Sequence, residues 1–173
     1  SFALLVYASA WLKCHHPAAF AASLLNSQPM GFYAPAQIVR DASDHQVEIR
    51  PPDINASLND NTLEERVDGL LALRLGFRQI DGFRNEWANR IDTARGAFYP
   101  NVETLQRRAK LPRRALILLA EADAMRSLDL DRREAAWEVR RLPDAETLPL
   151  FEAANADELA EEPLVTLSPM PLG

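Results

Sequence analysis

The sequence has few of the residues that build disulfide frameworks and zinc sites. Its 173 residues contain one cysteine and three histidines, so an internal disulfide is excluded and a structural zinc site is disfavoured. No apolar run approaches the roughly 20 residues that a membrane-spanning helix requires. These absences favour a soluble protein in a reducing, cytoplasmic setting that makes no contact with a membrane.

Side chains that do chemistry on their own are also scarce. The chain contains neither a P-loop nor a nucleophile elbow. His15 and His16 precede Pro17, but they have no carboxylate or second cysteine at a ligand spacing, so we assign them no catalytic or metal-binding role. Asp53 is interpreted as a turn residue and Cys14 as a small core residue. We therefore expect no catalytic residue, no metal site and no cofactor in this chain.

The charge of the chain is strongly uneven along its length. The net charge is −6, yet residues 71–114 hold ten basic and four acidic residues, whereas residues 143–173 hold seven acidic residues and no basic one. A concentration of positive charge in one segment of an acidic chain indicates a site for a polyanion better than the overall isoelectric point does.

Hydrophobic periodicity in the first half predicts helices followed by a small β element. We expect two helices within residues 2–25, broken near His16-Pro17, and a third over residues 32–45. VEIRPPDIN indicates a short strand that runs into an extended turn. NTLEERVDGLLALRLG indicates a β-hairpin that turns at Asp68-Gly69, although its second half also fits a helix.

The second half is expected to be helical, which makes the fold class mainly α with one small β-hairpin. Two helix–turn–helix units are expected over residues 73–95 and 113–141. The acidic, proline-containing residues after Pro143 predict an irregular tail. The helices expected in this half lie near residues 85–95, 102–109, 113–126 and 131–141.

The stretch GFRQIDGF, residues 76–83, has the form of a glycine-containing turn before a helix. In such a turn Ile80 anchors in the core, Gly82 allows the backbone to come close to a ligand, and amides at the start of the next helix face a phosphate. The alternative is that Gly82 ends a helix as an ordinary cap and that the arginines are solvated. The candidate DNA-binding residues here are Arg78, Gln79, Gly82, Arg84 and Asn85.

Two further basic clusters are candidate phosphate contacts. QRRAKLPRR, residues 106–114, places five basic residues in nine positions. In LDLDRREAAW, residues 128–137, basic side chains follow a candidate N-cap at Asp131, where they oppose the helix dipole unless an anion compensates them. The alternative for both clusters is a solvated surface. Their candidate residues are Arg107, Arg108, Lys110, Arg113, Arg114, Arg132 and Arg133.

Several long segments, taken in order, resemble one protein family. FALLVYASAWLKCHHPAAFAASLLNSQPMGFYAPAQIVRDA, then PPDIN, ALRLGFRQIDGF and LQRRAKLPRRALILLAEADAMRSLDLDRREAAW resemble bacterial C-family DNA polymerases, the family of the DNA polymerase III alpha subunit. The stretch SLLNSQPMGFY is most similar to the error-prone, damage-inducible alpha-type members. The resemblance extends over about residues 1–151.

The resemblance implies a division of the chain into four parts. Residues 1–50 would end the fingers domain, 51–72 would be an extended or β-hairpin connector, and 73–142 would be a tandem helix-hairpin-helix region that holds duplex DNA. Residues 143–173 would be an acidic linker toward an OB-fold domain. The family commonly has Lys at the position of Asp81 and Gly at that of Asp129, and both departures are expected to weaken phosphate binding.

The resemblance also implies what the chain would do and what it would leave to the rest of the polymerase. The chain would bind primer–template duplex without regard to sequence, in an enzyme of damage-induced translesion synthesis. The palm aspartates and their two Mg²⁺ ions would lie upstream of Ser1. The partners would be duplex DNA, other domains of the same polymerase and mutasome proteins. The alternative is a protein-docking module in which the apolar residues 1–25 and the acidic tail bind those other domains or proteins.

Overall fold

The computed structural model describes residues 2–29 and 34–143. The chain divides into a unit of residues 1–142 and a unit of residues 143–173, and every helix and strand that the structure describes lies in the first unit. The expected irregular tail and the assignment of 143–173 as a linker lie outside the described residues. In the part that is described, no helix is long and apolar enough to cross a bilayer.

Three helices form the N-terminal part: α1 (Phe2–His15), α2 (Pro17–Asn26) and α3 (Pro35–Asp44). The expected break at His16-Pro17 is confirmed, with Pro17 at the first helical position of α2, where proline lacks only an amide that has no helical partner. The side chains of α2 and α3 pack together around Leu25 and Ile38. In contrast, α1 contributes no buried residue, and Cys14 on α1 is exposed. The interpretation of Cys14 as a core residue is therefore wrong, because this helix is not covered within the described part of the chain.

A three-stranded sheet follows, made of β1 (Ile49–Arg50), β2 (Thr62–Glu65) and β3 (Leu71–Arg74) in the order β1-β3-β2. The pair β2–β3 is antiparallel, with Gly69 at φ +79 in the turn between the two strands. The predicted hairpin is thus confirmed, and the helical alternative for its second half is wrong. The parallel pairing of β1 with β3 was not predicted, because it joins segments that are distant in sequence.

Between the sheet and residue 143, the structure describes four helices in two packed pairs. They are α4 (Asn85–Arg95) against α5 (Val102–Ala109), and α6 (Arg113–Glu121) against α7 (Arg132–Arg141). The unit expected over 113–141 is present. The unit expected over 73–95 is not a helix pair, because a strand end and the 3₁₀ turn Phe77–Gln79 precede α4.

One hydrophobic core joins these four helices to the segment after the sheet. Phe77, Ile80, Trp87, Leu105 and Leu119 all belong to this cluster of buried side chains. Ile80 anchors the turn before α4 in the core, as predicted. For the described residues, the predicted mainly α fold with one small β element is confirmed.

Candidate nucleic-acid interface

The turn before α4, residues 80–84, is termed the first hairpin turn. Gly82 has φ +73, a backbone conformation that side chains other than glycine rarely adopt. A Cβ atom at Gly82 would meet only the Cδ1 atom of Leu118, at 3.9 Å. Gly82 also lies between a 3₁₀ turn and the N-cap of α4 and not at the end of a helix. The helix-stop alternative is therefore wrong, and glycine is needed here for its φ angle.

Gly76 has the opposite role. A Cβ atom at this position would overlap the carbonyl oxygen of Asn59 and the backbone of Asp60. The Gly76 N–H also donates a hydrogen bond of 3.0 Å to Oδ1 of Asn61. The close backbone approach that a glycine allows is thus made at Gly76, within the chain, which leaves the exposed Gly82 facing solvent.

The N-terminus of α4 is not capped by a side chain. The residue at the N-cap position is Arg84, whose side chain accepts no backbone hydrogen bond. Within residues 2–29 and 34–143, no atom accepts a hydrogen bond from the N–H of Arg84, Asn85 or Glu86. Unsatisfied amides and the positive end of the helix dipole together favour an anion at such a position. This end of α4 can therefore accept a phosphate through its backbone.

Aromatic contacts hold the first hairpin turn in place. The ring centroids of Phe77 and Phe83 are 5.6 Å apart, and those of Phe83 and Trp87 are 5.4 Å apart in an edge-on arrangement. The guanidinium carbon of Arg84 lies 5.2 Å from the centroid of the Trp87 ring. Such ring contacts favour a fixed geometry, so the turn is preorganised and keeps the Arg84 side chain at the surface.

The second hairpin turn, residues 128–131, has a residue of positive φ at the same place as the first. Asp129 has φ 58 and lies two residues before the N-cap Asp131, just as Gly82 lies two residues before Arg84. Here, however, the amides are already satisfied within the chain. Oδ1 of Asp131 accepts from the N–H groups of Arg133 and Glu134 at 2.7 and 2.8 Å, and Oε2 of Glu134 accepts from the Asp131 N–H at 2.9 Å.

These backbone hydrogen bonds, the one from Glu134 above all, hold the pKa of the Asp131 carboxyl below its usual value. The capping box thus supplies the anion that the basic side chains of Arg132 and Arg133 require. A phosphate can meet those two side chains at the second turn, but it cannot use the amides of Arg133 and Glu134. The two hairpin turns therefore differ in kind: the first is open and the second is capped by its own chain.

The basic cluster of residues 107–114 lies beside the first half of α4. Nη1 of Arg90 donates to the carbonyl oxygen of Lys110 at 3.2 Å, which places the end of α5 next to the second turn of α4. Lys110 has φ 47, a strained angle for a residue with a side chain. Four exposed cations of this cluster have no carboxylate within 4 Å among residues 2–29 and 34–143: Arg107, Arg108, Lys110 and Arg114.

Two predicted DNA-binding arginines join segments of the fold, and a third, Arg108, donates to the carbonyl oxygen of Phe98 at 3.5 Å while its side chain stays exposed. Arg78 donates to the carbonyl oxygens of Asn26 and Gln28 at 2.9 and 3.0 Å and pairs with Asp60 at 2.9 Å. Arg113 donates to the carbonyl oxygens of Arg140 and Leu142 at 2.8 and 3.4 Å. Each guanidinium ties two segments of the fold together, so neither side chain is placed in the interface.

The last predicted residue, Gln79, faces a shallow cavity. It is half-buried and lines an open cavity of about 430 Å³ together with Asp81, Leu118 and Glu121. Gly82, Arg84 and Asn85 thus lie together at the start of α4, and the contact from Arg90 to Lys110 places the end of α5 beside the second turn of the same helix. Arg132 and Arg133 lie at the separate second turn.

Asp53 shows what sequence reasoning missed at the second turn. As predicted, it is a turn residue, and its Oδ1 accepts from the Asn55 N–H at 2.8 Å. The buried carboxylate also accepts at Oδ2 from the Ser127 N–H, at 3.0 Å. Asn55 in turn bonds the backbone of Tyr99 and the hydroxyl of Ser127. An Asx-turn could be predicted from Asp-Ile-Asn, but a partner more than 70 residues away could not.

The residues that the structure describes do not form the carboxylate group that the two-Mg²⁺ site of a polymerase requires. Among those that the structure describes, no group of three or more His, Cys, Asp or Glu side chains could hold a metal ion. Asp129 and Asp131 stand two apart, but the Asp131 carboxylate is bonded by backbone amides.

Comparison with known proteins gives one family and a set of close relatives. The profile of a family described as helix-hairpin-helix motif matches residues 46–135. An error-prone DNA polymerase of Brucella abortus biovar 1 (strain 9-941) is 62% identical over 170 residues, which are 98% of this chain and 16% of the relative. An error-prone DNA polymerase of Ruegeria pomeroyi is 58% identical over 173 residues, which are 100% of this chain and 16% of the relative. One from Rhodopseudomonas palustris (strain HaA2) is 54% identical over an alignment of 191 residues that covers 99% of this chain and 16% of the relative.

The chain therefore spans about one sixth of the length of these relatives. The similarity extends over nearly all of the chain, and the predicted resemblance to error-prone, alpha-type DNA polymerases is confirmed by it. The match of the family profile takes in the sheet, both hairpin turns and the first turn of α7.

Proposed function

Since the chain belongs to the helix-hairpin-helix family over residues 46–135, we propose that it holds the backbone of duplex DNA within an error-prone DNA polymerase. The observation that carries this proposal is the open first hairpin turn. It combines an exposed glycine at positive φ with three amides at the start of α4 that have no partner in the described part of the chain.

Binding at this turn is independent of sequence. Backbone amides and guanidinium groups that meet phosphate oxygens fix the position of a duplex but carry no information about its bases. Arg84, Arg107, Arg108, Lys110 and Arg114 add positive charge at the N-cap of α4, the end of α5 and the start of α6, where they neutralise phosphates and release counterions. The second hairpin turn contributes Arg132 and Arg133 by charge alone, since its first amides are capped by Asp131.

Nucleotide addition and translesion synthesis belong, in this proposal, to the polymerase as a whole. The two Mg²⁺ ions would supply Lewis-acid stabilisation of the transferring phosphoryl group, at carboxylates outside this chain. We expect the purified chain to add no nucleotide to a primed template in the presence of Mg²⁺. Template-dependent primer extension by the pure chain would contradict this assignment.

A docking function is the second candidate, and α1 favours it. The apolar side chains of α1 are exposed on several sides, and five of its residues line an open groove of about 330 Å³. Such a surface fits the docking of another polymerase domain. The groove is lined by Leu4, Tyr7, Ala8, Trp11 and Leu12. Because α1 and the hairpin turns share no residue, docking at α1 and duplex binding at the turns can occur in the same protein. Docking becomes the preferred function only if duplex binding is not observed.

Two variants at Asn85 test the proposal at a single position. Asn85 is the first residue of α4, where proline is well tolerated, and Arg84 already has the extended backbone that a following proline requires. Asn85→Pro removes the amide, whereas Asn85→Ala removes the side chain and keeps the amide. Because a hydrogen bond to a charged group is worth about 1.5–3 kcal/mol, we expect Asn85→Pro to weaken duplex binding about tenfold or more.

The measurement is fluorescence anisotropy of a labelled duplex, with thermal unfolding to show that both variants fold. We expect Asn85→Ala to bind within about twofold of the wild type, since its amide remains. If both variants bind like the wild type, the start of α4 holds no phosphate and the proposal is wrong. If Asn85→Ala loses as much affinity as Asn85→Pro, the amide is not the contact.

A further inference from the structure

The outward face of α7 carries an aromatic ring between two cations. Arg133, Trp137 and Arg140 are spaced by four and three residues, a spacing that places them on one side of a helix. The opposite side, with Ala135 and Val139, is buried in the core. Trp137 is 59% exposed, so most of its indole faces solvent.

Among residues 2–29 and 34–143, neither cation of this face has a carboxylate in direct contact, although the N-cap carboxylate of Asp131 acts on Arg133 at longer range. The helix contains two acids, and both are engaged: Glu134 bonds the N-cap amide at 2.9 Å, and Glu138 lies 3.6 Å from Arg141. No carboxylate comes within 4 Å of the Arg133 or Arg140 guanidinium in that part of the chain. With respect to those described residues, the face is therefore positively charged and exposed.

The fold gains little from the indole of Trp137. The helix packs through its alanine and valine side chains, and Trp87 of α4, in contrast, is 6% exposed and lies within the core. Because this indole is largely exposed to water, most of its apolar surface remains available to contact a ligand. A flat aromatic surface between two cations matches a base with a phosphate on either side of it.

We propose that single-stranded DNA binds this face, with an unpaired base stacked on Trp137 and the neighbouring phosphates held by Arg133 and Arg140. A duplex does not fit the same chemistry, because its bases are already stacked on one another and its backbone offers nothing to an indole. The proposal does not rest on duplex binding at the first hairpin turn, which shares no residue with this face. Arg133 also belongs to the second hairpin turn, so the contacts that are specific to single-stranded DNA are those of Trp137 and Arg140.

The test uses the full 173-residue chain and a labelled oligothymidylate, with anisotropy as the readout. Stacking on an aromatic side chain accounts for about a five- to hundredfold change in affinity per base, so Trp137→Ala should weaken binding by at least about fivefold. Trp137→Phe keeps a ring and should recover part of that loss. Trp11→Ala is the matched control, because Trp11 is also exposed, at 45%, but lies on α1. It should bind like the wild type.

A second probe separates stacking from charge. An oligonucleotide of abasic sites keeps the phosphates but has no bases, so Trp137→Ala should not change its affinity, while Arg133→Gln with Arg140→Gln should weaken both probes. Equal losses for Trp137→Ala and Trp11→Ala would overturn the proposal, as would an equal loss on the abasic probe. The proposal would also be overturned if poly-glutamate competed with the oligothymidylate and if this competition were lost in Trp137→Ala. That result would identify an acidic protein as the ligand.

Discussion

Asp81 places an exposed carboxylate directly before Gly82 in the first hairpin turn. It pairs with no cation within the described residues, so its charge repels a phosphate at the start of α4. Because the substitution reverses a charge at the contact, we expect Asp81→Lys to strengthen duplex binding several-fold. The log–log salt slope should become steeper by about one.

The matched control for Asp81 is Asp44→Lys at the end of α3. Asp44 is likewise exposed and without an ion pair in the described range, and its replacement makes the same change in net charge. If duplex affinity rises equally in both variants, the effect is one of net charge and the first hairpin turn is not the contact.

Lys110 occupies a left-handed position at the end of α5 that glycine would fill with less strain. We expect Lys110→Gly to raise the free energy of unfolding by about 0.5 kcal/mol, because strain at φ 47 is relieved. Duplex binding should weaken at the same time, because an exposed ammonium is lost from the basic cluster.

Urea denaturation and anisotropy, measured on the same preparations, check both parts of this prediction. Gln46→Gly is the control, since Gln46 also has positive φ after a helix, at 63, but lies in the N-terminal part. It should gain stability without any change in binding. Lys110→Gly that is more stable and binds duplex like the wild type would remove Lys110 from the interface.

The sequence predicted that basic residues would form the candidate site, but it did not predict which of them bond other segments of the chain. Positive charge in residues 71–114 was visible in the sequence, yet Arg78 and Arg113 bond carbonyl groups of other segments. Those partners belong to α2 and to the end of α7, and no local sequence pattern predicts them. Only folding separates the arginines that hold the chain together from those that remain for a ligand.

At the scale of elements, Glu64 joins all three strands through two arginines. Its carboxylate accepts from Nε of Arg74 at 2.7 Å and pairs with Nη1 of Arg50 at 2.5 Å. Hydrogen bonding to Arg74, opposed by partial burial and aided by Arg50, lowers the pKa of Glu64. A depressed pKa in the folded state adds stability above the unfolded value of about 4.3, and that stability is lost as the pH falls through the folded value.

We therefore expect Glu64→Gln to reduce the free energy of unfolding at pH 7 by about 1–2 kcal/mol, because both guanidinium groups lose a charged partner. The difference from the wild type should shrink as the pH falls below about 4, where the wild-type carboxylate also becomes neutral. Urea denaturation at a series of pH values measures both effects. Glu65→Gln, on the exposed side of the same strand, should show neither, and a loss at pH 7 that persists at pH 3 would contradict the ion-pair explanation.

The elements themselves divide into those with local signals and those without. Helix bounds at Pro17 and the hairpin at Gly69 were predictable, because proline and glycine act on their own backbone. The helix expected over 113–126 ends at Glu121, because Asp123 takes φ 58, which its sequence did not reveal. The parallel pairing of β1 and β3 also depends on tertiary context, whereas the N-cap at Asp131 is formed by neighbouring residues and was predictable.

At the scale of the whole molecule, charge and apolar surface are separated along the chain. Exposed apolar side chains concentrate on α1. Among the described residues, exposed cations without a carboxylate within 4 Å include Arg84 at the N-cap of α4, Arg107, Arg108 and Lys110 at the end of α5, Arg114 in α6, and Arg132 and Arg133 at the start of α7. Phosphate binding weakens steeply with salt, while apolar docking changes little. The two candidate functions thus make opposite predictions about salt, and each concerns its own surface.

The most direct measurement is the salt dependence of duplex binding by the wild type, Arg107→Gln/Arg108→Gln and Lys13→Gln/Arg40→Gln. Both double variants lose two positive charges, but Lys13 and Arg40 lie on α1 and α3. Neutralising about three to five phosphates predicts a log–log slope of about −3 to −5 for the wild type. The slope should be flatter by up to about two for the Arg107/Arg108 variant and unchanged for the Lys13/Arg40 variant. Affinity that does not depend on salt, or equal slopes for all three proteins, would contradict duplex binding at this interface.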